Sequence, residues 1–329
     1  MAIRSGRRAF IKRALLAPAA VAALQTSTGF AAEAALAQPV APGNSAPVES
    51  GLPCGKIGNL AVSRLLLGGN LLTHYTHSRD LQYVYTLCAH YNTEQKILDT
   101  LKLAEQNGIN TLVVHTAGGI VDILKKHRHE QGGKMQWIIC PTAEVAEDMS
   151  AYTKMVRELA DNGTDAIYLW GVTADRLLGQ GKVDLIAKAV DVAKEQGVPS
   201  GVGAHDLNVV IECEKAKVGA DFYIKTFHHH EYPSAPKSGQ ISAPTSESPA
   251  YWCRNPQDVI DVMKGVEKPW IAFKVMAAGA IPPKDAFHYA FTHGADHVLA
   301  GMFDFEIAED VSIARELLAN VNRERPWRS

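Results

Sequence analysis

The sequence predicts an α/β chain folded as a (β/α)8 TIM barrel, and three observations carry that reading. Short β-rich runs alternate with helix-length segments eight times, the order a parallel sheet requires. Four helical segments end on a similar phrase before the next strand: NGIN at 107–110, NGTD at 162–165, QGVP at 196–199 and HGAD at 293–296. In each, a glycine stands where a helix needs its left-handed C-cap residue. Two connections are long, 71–92 after the first strand and 231–255 after the sixth, and both fall on the strand-exit face where such barrels build their sites.

The strands are read at 64–69, 110–115, 136–140, 166–170, 200–205, 222–226, 270–274 and 297–301, with helices such as 93–107, 184–196 and 256–264 between them. No repeat of 20–50 residues is visible beyond this structural period, which excludes a solenoid. A single barrel domain is expected over 54–325.

Ahead of the barrel, the stretch SGRRAFIK at 5–12 and the apolar run 14–24 resemble a twin-arginine export signal, too short to span as an ordinary membrane helix. Small residues at Ala32, Ala34, Ala35 and Ala37 offer cleavage points, so a signal is read at 1–37 and a Pro/Ser/Gly-rich linker at 38–53. The implied partner is the export machinery, the destination is the periplasm or cell exterior, and no permanent membrane anchor is expected. Taking the five leader cations and Glu33 from totals of 33 and 35 leaves 28 basic against 34 acidic residues. That balance argues against nucleic acid or an anionic membrane as partner and leaves a small molecule. The five cysteines are odd in number and show no CxxC spacing, so a disulfide framework is not expected, with a Cys54–Cys88 pair left open.

The segment FYIKTFHHHE at 222–231 is poor core design, because a buried ammonium needs a carboxylate, a ligand or a lowered pKa. Strand alternation, read from apolar partners, turns Phe222, Ile224, Ile271, Phe273 and Val275 toward the helices and sends Lys225, Trp270, Ala272 and Lys274 into the barrel. The same reading points His115 and His205 inward. Expected catalytic residues are therefore Lys225, Lys274, His115 and His205. Three histidines with a carboxylate would suit a divalent metal, Zn, Mn or Fe, and the ligands expected are His115, His205, His228, His230 and Asp206. Lys274, with its pKa lowered by Lys225, is alternatively a Schiff-base nucleophile. The aromatic and cationic loops give a substrate set of Asn70, His74, Tyr75, Trp170, Tyr251, Trp252 and Asp304, suited to a sugar-like or carbonyl compound.

Over roughly 55–320 the chain resembles a divergent aldo/keto reductase barrel, on the stretches GNLAVSRLLLGG at 58–69, GINT at 108–111, GVGAH at 201–205 and AGAIP at 278–282. The resemblance implies a two-stranded hairpin plugging the barrel floor near 54–62. It also implies an Asp, Tyr, Lys and His tetrad with NADPH, and here the sequence departs. Val113 or Val114 stands at the Asp, Gly118 and Gly119 in the Tyr region, Cys140 or Pro141 at the Lys, and Trp170 and Gly171 at the His. The segment after the last strand, MFDFEIAED at 302–310, is acidic where a dinucleotide phosphate needs cations and bare amides. The sequence is accordingly read as an exported, metal-assisted isomerase or lyase with NADP disfavoured. The alternatives are a non-catalytic sugar- or solute-binding barrel and an atypical NADPH-dependent aldo/keto reductase.

Overall fold

The computed structural model describes residues 51–329 apart from 238; the expected signal at 1–37 and the linker up to residue 50 lie outside the described residues. An antiparallel hairpin comes first, β1 (Cys54–Ile57) against β2 (Leu60–Ser63), with Cys54 opposite Ser63. Eight parallel strands then close a barrel in chain order: β3 (Leu65–Gly68), β4 (Thr111–His115), β5 (Gln136–Cys140), β6 (Ala166–Leu169), β7 (Ser200–Ala204), β8 (Phe222–Thr226), β11 (Trp270–Phe273) and β12 (His297–Ala300). Closure is completed by β11, which bonds to β8 on one side and β12 on the other. The four phrase-ending glycines all take positive φ, from +78° at Gly197 to +103° at Gly294, as the C-cap reading requires.

The hairpin sits at the strand-entry end, where Asn110 and Gln136 both donate side-chain hydrogen bonds to the Ala61 carbonyl. Its Ile57 and Val62 join Leu66, Val113, Ile138, Phe222, Ile224 and Ile271 in a core that fills the barrel. The floor is thus plugged as the resemblance implied. A second core lies between barrel and helices, where Leu65, Leu67, Leu112, Trp137, Tyr223 and Trp270 meet helical residues such as Ile97, Leu101 and Ala104 of α2 (Glu94–Gln106).

These two cores correct the strand phase read for β8 and β11. Phe222, Ile224 and Ile271 face into the barrel, while Tyr223, Trp270 and Ala272 face the helices. Lys225 therefore lies on the helix side of β8. The cause is that parallel strands are buried on both faces, so apolar residues mark neither face.

The long connections carry structure of their own. Residues 71–92 include α1 (Tyr83–Tyr91), and 231–255 include a small hairpin of β9 (Ser246–Glu247) and β10 (Ala250–Tyr251). They meet over the barrel mouth, where His77 Nδ1 lies 2.7 Å from Glu247 Oε1. All five cysteines are free, Cys54 exposed and Cys88 buried.

The last residues return to the strand-entry face. Arg325, fully buried, pairs with the equally buried Asp296 at 2.6 Å and also donates to the carbonyls of Gly294, Val266 and Lys268. Arg64 and Arg323 sandwich Trp327 at 3.8 and 3.4 Å from its ring centre. Arg325→Met leaves the Asp296 carboxylate with much less compensation, and the expected loss is about 3–5 kcal/mol, measured by urea unfolding. A loss under about 1 kcal/mol would show that Arg323 and the backbone amides suffice to hold the carboxylate.

Candidate active site

A cavity of about 540 Å³ opens at the strand-exit face, with walls from β3 to β7, the turn after β11 and the two long connections. Its floor is set by glycine. A Cβ on Gly68 would stand 2.9 Å from the Ala300 carbonyl oxygen, and one on Gly69 would stand 2.4 Å from Val114 Cγ2. Larger residues there would push adjacent strands apart.

Lys274 reaches this cavity by breaking the strand geometry. Alternation would leave it on the helix side with Trp270 and Ala272, but its φ is +56°, and the left-handed turn carries its ammonium over the Phe273 and Trp252 rings, 5.6 and 5.7 Å from their centres. The ammonium makes no hydrogen bond or ion pair among the described residues. Desolvation pulls its pKa down to about 7, only partly opposed by the more distant Glu247 and Asp175. A lysine that exchanges its proton near neutrality is suited to acid–base work.

His205 follows β7 into the same cavity. Its Nδ1 donates to Asp175 Oδ2 at 2.7 Å, and Asp175 also accepts the amides of His205 and Asp206. Asp175 rises from α5 (Gly171–Gly179) one turn in, so the pair is built between neighbouring βα units. Its hold on Nδ1–H leaves Nε2 as the free basic nitrogen. Burial lowers the His205 pKa, opposed first by the Asp175 hydrogen bond and then lowered further by Lys274.

His115 is placed in the cavity wall but is already engaged. Its Nδ1 accepts the Ala117 amide at 3.2 Å, which puts the proton on Nε2, 2.9 Å from Thr73 Oγ1. Burial alone lowers its pKa. The ring packs edge-on against Tyr75 and positions that loop.

Of the expected substrate residues, Asn70, Tyr75, Trp170 and Trp252 line the cavity. His74 Nε2 instead bonds the Asn92 carbonyl, and the Tyr251 hydroxyl ties down residues 242 and 243. Asp304 is held by the Tyr91 hydroxyl and Lys96 at 2.6 and 2.9 Å. Lys225 and Asp206 border a different cavity.

The expected metal centre is corrected. His228 is buried, with Nδ1 donating to the His229 carbonyl and Nε2 accepting the Trp252 amide, and its pKa falls to about 3 by desolvation. His230 Nε2 donates to the Cys253 carbonyl. The triple-histidine run thus staples the 231–255 connection to the barrel. Among the described residues no three His, Cys, Asp or Glu side chains come together as metal ligands.

Sequence reading missed Asp175, His77, Glu247 and Tyr168, and it turned Phe273 toward the helices, whereas Phe273 packs on the barrel-interior core and lines the cavity. His77 packs on Tyr75 and Trp252 and bonds Glu247, its pKa lowered to about 4 by burial and by Lys274. Burial first, and then the neighbouring Cys140, hold the Tyr168 pKa well above the ordinary tyrosine value, so it stays protonated. A carboxylate in the helix after the fourth strand was the one available signal for Asp175, because that helix starts beside the end of the fifth.

No protein-family description matches the chain, and no curated protein does. Solved structures do. A Pseudomonas aeruginosa chain assigned to the aldo-keto reductases has a TM-score of 0.56 at 18% identity, covering 81% of this chain and 94% of its own length. The aldo-keto reductase AKR11C1 of Bacillus halodurans, in holo form, has a TM-score of 0.53 at 12% identity, covering 84% of this chain and 100% of its own. A variant of Gox0644 in complex with NADPH has a TM-score of 0.51 at 10% identity, covering 80% of this chain and 86% of its own. At these identities the likeness shows the shared (β/α)8 barrel.

Two expectations are therefore withdrawn. Metal-assisted isomerase or lyase chemistry loses its ligand set, and with its lysine-dependent variant it gives way because two of the three chains named are aldo-keto reductases and the third is an NADPH complex. The disfavouring of NADP also falls, since a holo reductase and an NADPH complex share the fold.

Lys274 should register in stability. Its pKa is lower folded than unfolded, so the unfolded state binds more protons between about 7 and 10.5, and stability rises with pH across that window. Lys274→Met is expected to melt higher than the parent at pH 6, with the gap closing toward pH 10. An unchanged or lower melting temperature at pH 6 would contradict the desolvation of Lys274.

Proposed function

We propose that the chain is an atypical aldo/keto reductase-type enzyme that interconverts a small polar carbonyl compound and its alcohol with a nicotinamide dinucleotide. The observation that carries the reading is the convergence of Lys274 and the His205–Asp175 pair on one apolar-walled cavity. Further support comes from the holo and NADPH-bound chains that share the barrel.

The cavity residues fit the nicotinamide and pyrophosphate parts of such a cofactor. Val113, Leu299 and Phe273 offer flat apolar walls to a ring. In the turn after β11, Ala277, Ala278 and Gly279 all take positive φ, and the amides of Ala278 and Gly279 have no acceptor among the described residues. Nothing lies within 4 Å of where a Gly279 Cβ would stand, so that backbone is open to a phosphate. When bound, the reduced nicotinamide supplies the two electrons and one hydrogen of the reduction.

The protein's own residues handle the other proton. Lys274, protonated below about pH 7, donates to the substrate oxygen as charge develops there. Asp175 locks the His205 tautomer, so that Nε2 faces the cavity and relays a proton from solvent to the spent amine. His115 carries no proton-transfer role, since both its nitrogens are engaged. On this reading the set takes the place of the family tetrad, at whose positions the sequence reading puts Val113 or Val114, Gly118 and Gly119, Cys140 or Pro141, and Trp170 and Gly171.

The same reading includes export through a leader at 1–37. Twin-arginine export carries folded proteins, so a nicotinamide cofactor bound in the cytoplasm can travel with the enzyme. Replacing both Arg7 and Arg8 by lysine is expected to keep the precursor in the cytoplasm, read by cell fractionation. Undiminished export of that double variant would remove the leader from the proposal.

Titration with NADPH and NADH should quench the fluorescence of Trp170 and Trp252, and a panel of aldoses, ketoses and aldehydes should reveal carbonyl-dependent oxidation of the nucleotide. Lys274→Gln and Asp175→Asn are expected to lower turnover by roughly 10²–10⁴-fold while the quench remains. In the parent, kcat should fall as pH rises through about 7. No saturable quench by either nucleotide up to about 1 mM would end the reductase reading.

A further inference from the structure

A second cavity, of about 460 Å³, lies between α7 (Leu207–Lys215) and α8 (Pro256–Gly265), with His205 bordering both it and the first. Lys225, displaced to the helix side of β8, is its buried base. The ammonium bonds only the Thr226 carbonyl and hydroxyl oxygens, at 2.9 and 2.8 Å, and has no ion pair among the described residues. An ammonium has three hydrogens, so one is left without an acceptor. Desolvation lowers the Lys225 pKa, against the weaker opposing pull of Cys253, Asp175 and Asp206.

At the rim, Arg254 is exposed, and its guanidinium makes no hydrogen bond or ion pair among the described residues. Beside it α8 begins without a side-chain cap: Asn255 makes no capping bond and Pro256 occupies the first turn. The positive end of that helix therefore adds to the two cations. The carboxylates are unequal. Asp206 accepts from the Asn208 amide and side chain, and Asp261 from Gln257, whereas Asp258 has no side-chain partner among the described residues. Lys225, Arg254 and the helix N-terminus offer donors to an oxyanion, while Asn208 and the three carboxylates, none of them ion-paired among the described residues, offer acceptors to the hydroxyls of the body that carries it.

We propose that this cavity binds a polyhydroxylated anion, a sugar acid or sugar phosphate, with its oxyanion on Lys225 and Arg254 and its hydroxyls on Asp258 and Asn208. The site stands independently of the chemistry in the first cavity.

The test is calorimetric titration of the full chain with gluconate and with glucose 6-phosphate, with neutral glucose as the control. Saturable binding of at least one of the anions and none of glucose is expected, and which anion binds tells a carboxylate site from a phosphate site. Binding should weaken by about ten-fold or more in Arg254→Ala, an exposed position that leaves the fold intact, and in Lys225→Met. Lys274→Met, which removes the ammonium of the first cavity, should leave it unchanged. Binding of neither anion, equal binding of glucose, persistence in Arg254→Ala, or loss in Lys274→Met would each overturn the proposal.

Discussion

Closing eight parallel strands on one another is the constraint from which the rest of the molecule follows. Closure pairs the strands around a complete ring and leaves an interior only wide enough for side chains. That interior is filled from the floor upward by Ile57 and Val62 of the hairpin and by Val113, Ile138, Phe222, Ile224 and Ile271. Beyond the strand-entry cluster around Asp296, polar groups are left with the strand-exit rim or with the space behind the strands. His205 and Lys274 take the first, and Lys225 takes the second.

The rim is an electrostatic environment in which no cation is fully neutralised. Lys274 lies over two aromatic rings with its nearest carboxylates at one remove, and His205 is steadied by Asp175 without being forced into its charged form. His77 and His228 are driven further toward neutrality by burial. Near neutral pH these two histidines are uncharged, and Lys274, close to its titration point, carries the poorly solvated charge that a bound oxygen or anion relieves. The latch of His77 on Glu247 joins the two long connections over this region.

Much of the barrel was legible because its punctuation is local. The glycines ending four helices, the eight β-rich runs and the two long connections are each set by short-range chemistry, and the strands fall within a residue or so of where the sequence places them. The histidine run at 228–230 was singled out correctly as unusual and interpreted wrongly. Backbone groups in a long connection need partners, and His228 and His230 supply them to Trp252 and Cys253. Asp175 left only the faint signal of a carboxylate early in the helix after the fourth strand, because it meets His205 across 30 residues of chain, a distance no spacing rule connects.

By itself the sequence determined the order of elements, the barrel, the plugged floor implied by its resemblance and the rim as the place where polar side chains gather. It did not determine the side of the strands on which a given lysine lies. Strands buried on both faces are apolar in both phases, so Lys225 and Lys274 were indistinguishable until the tertiary structure separated them. One left-handed residue after β11 brings Lys274 to the catalytic cavity, while regular alternation leaves Lys225 behind the barrel wall. That difference is a backbone torsion stabilised by the packing around it, and packing across the barrel is a property of the folded chain alone.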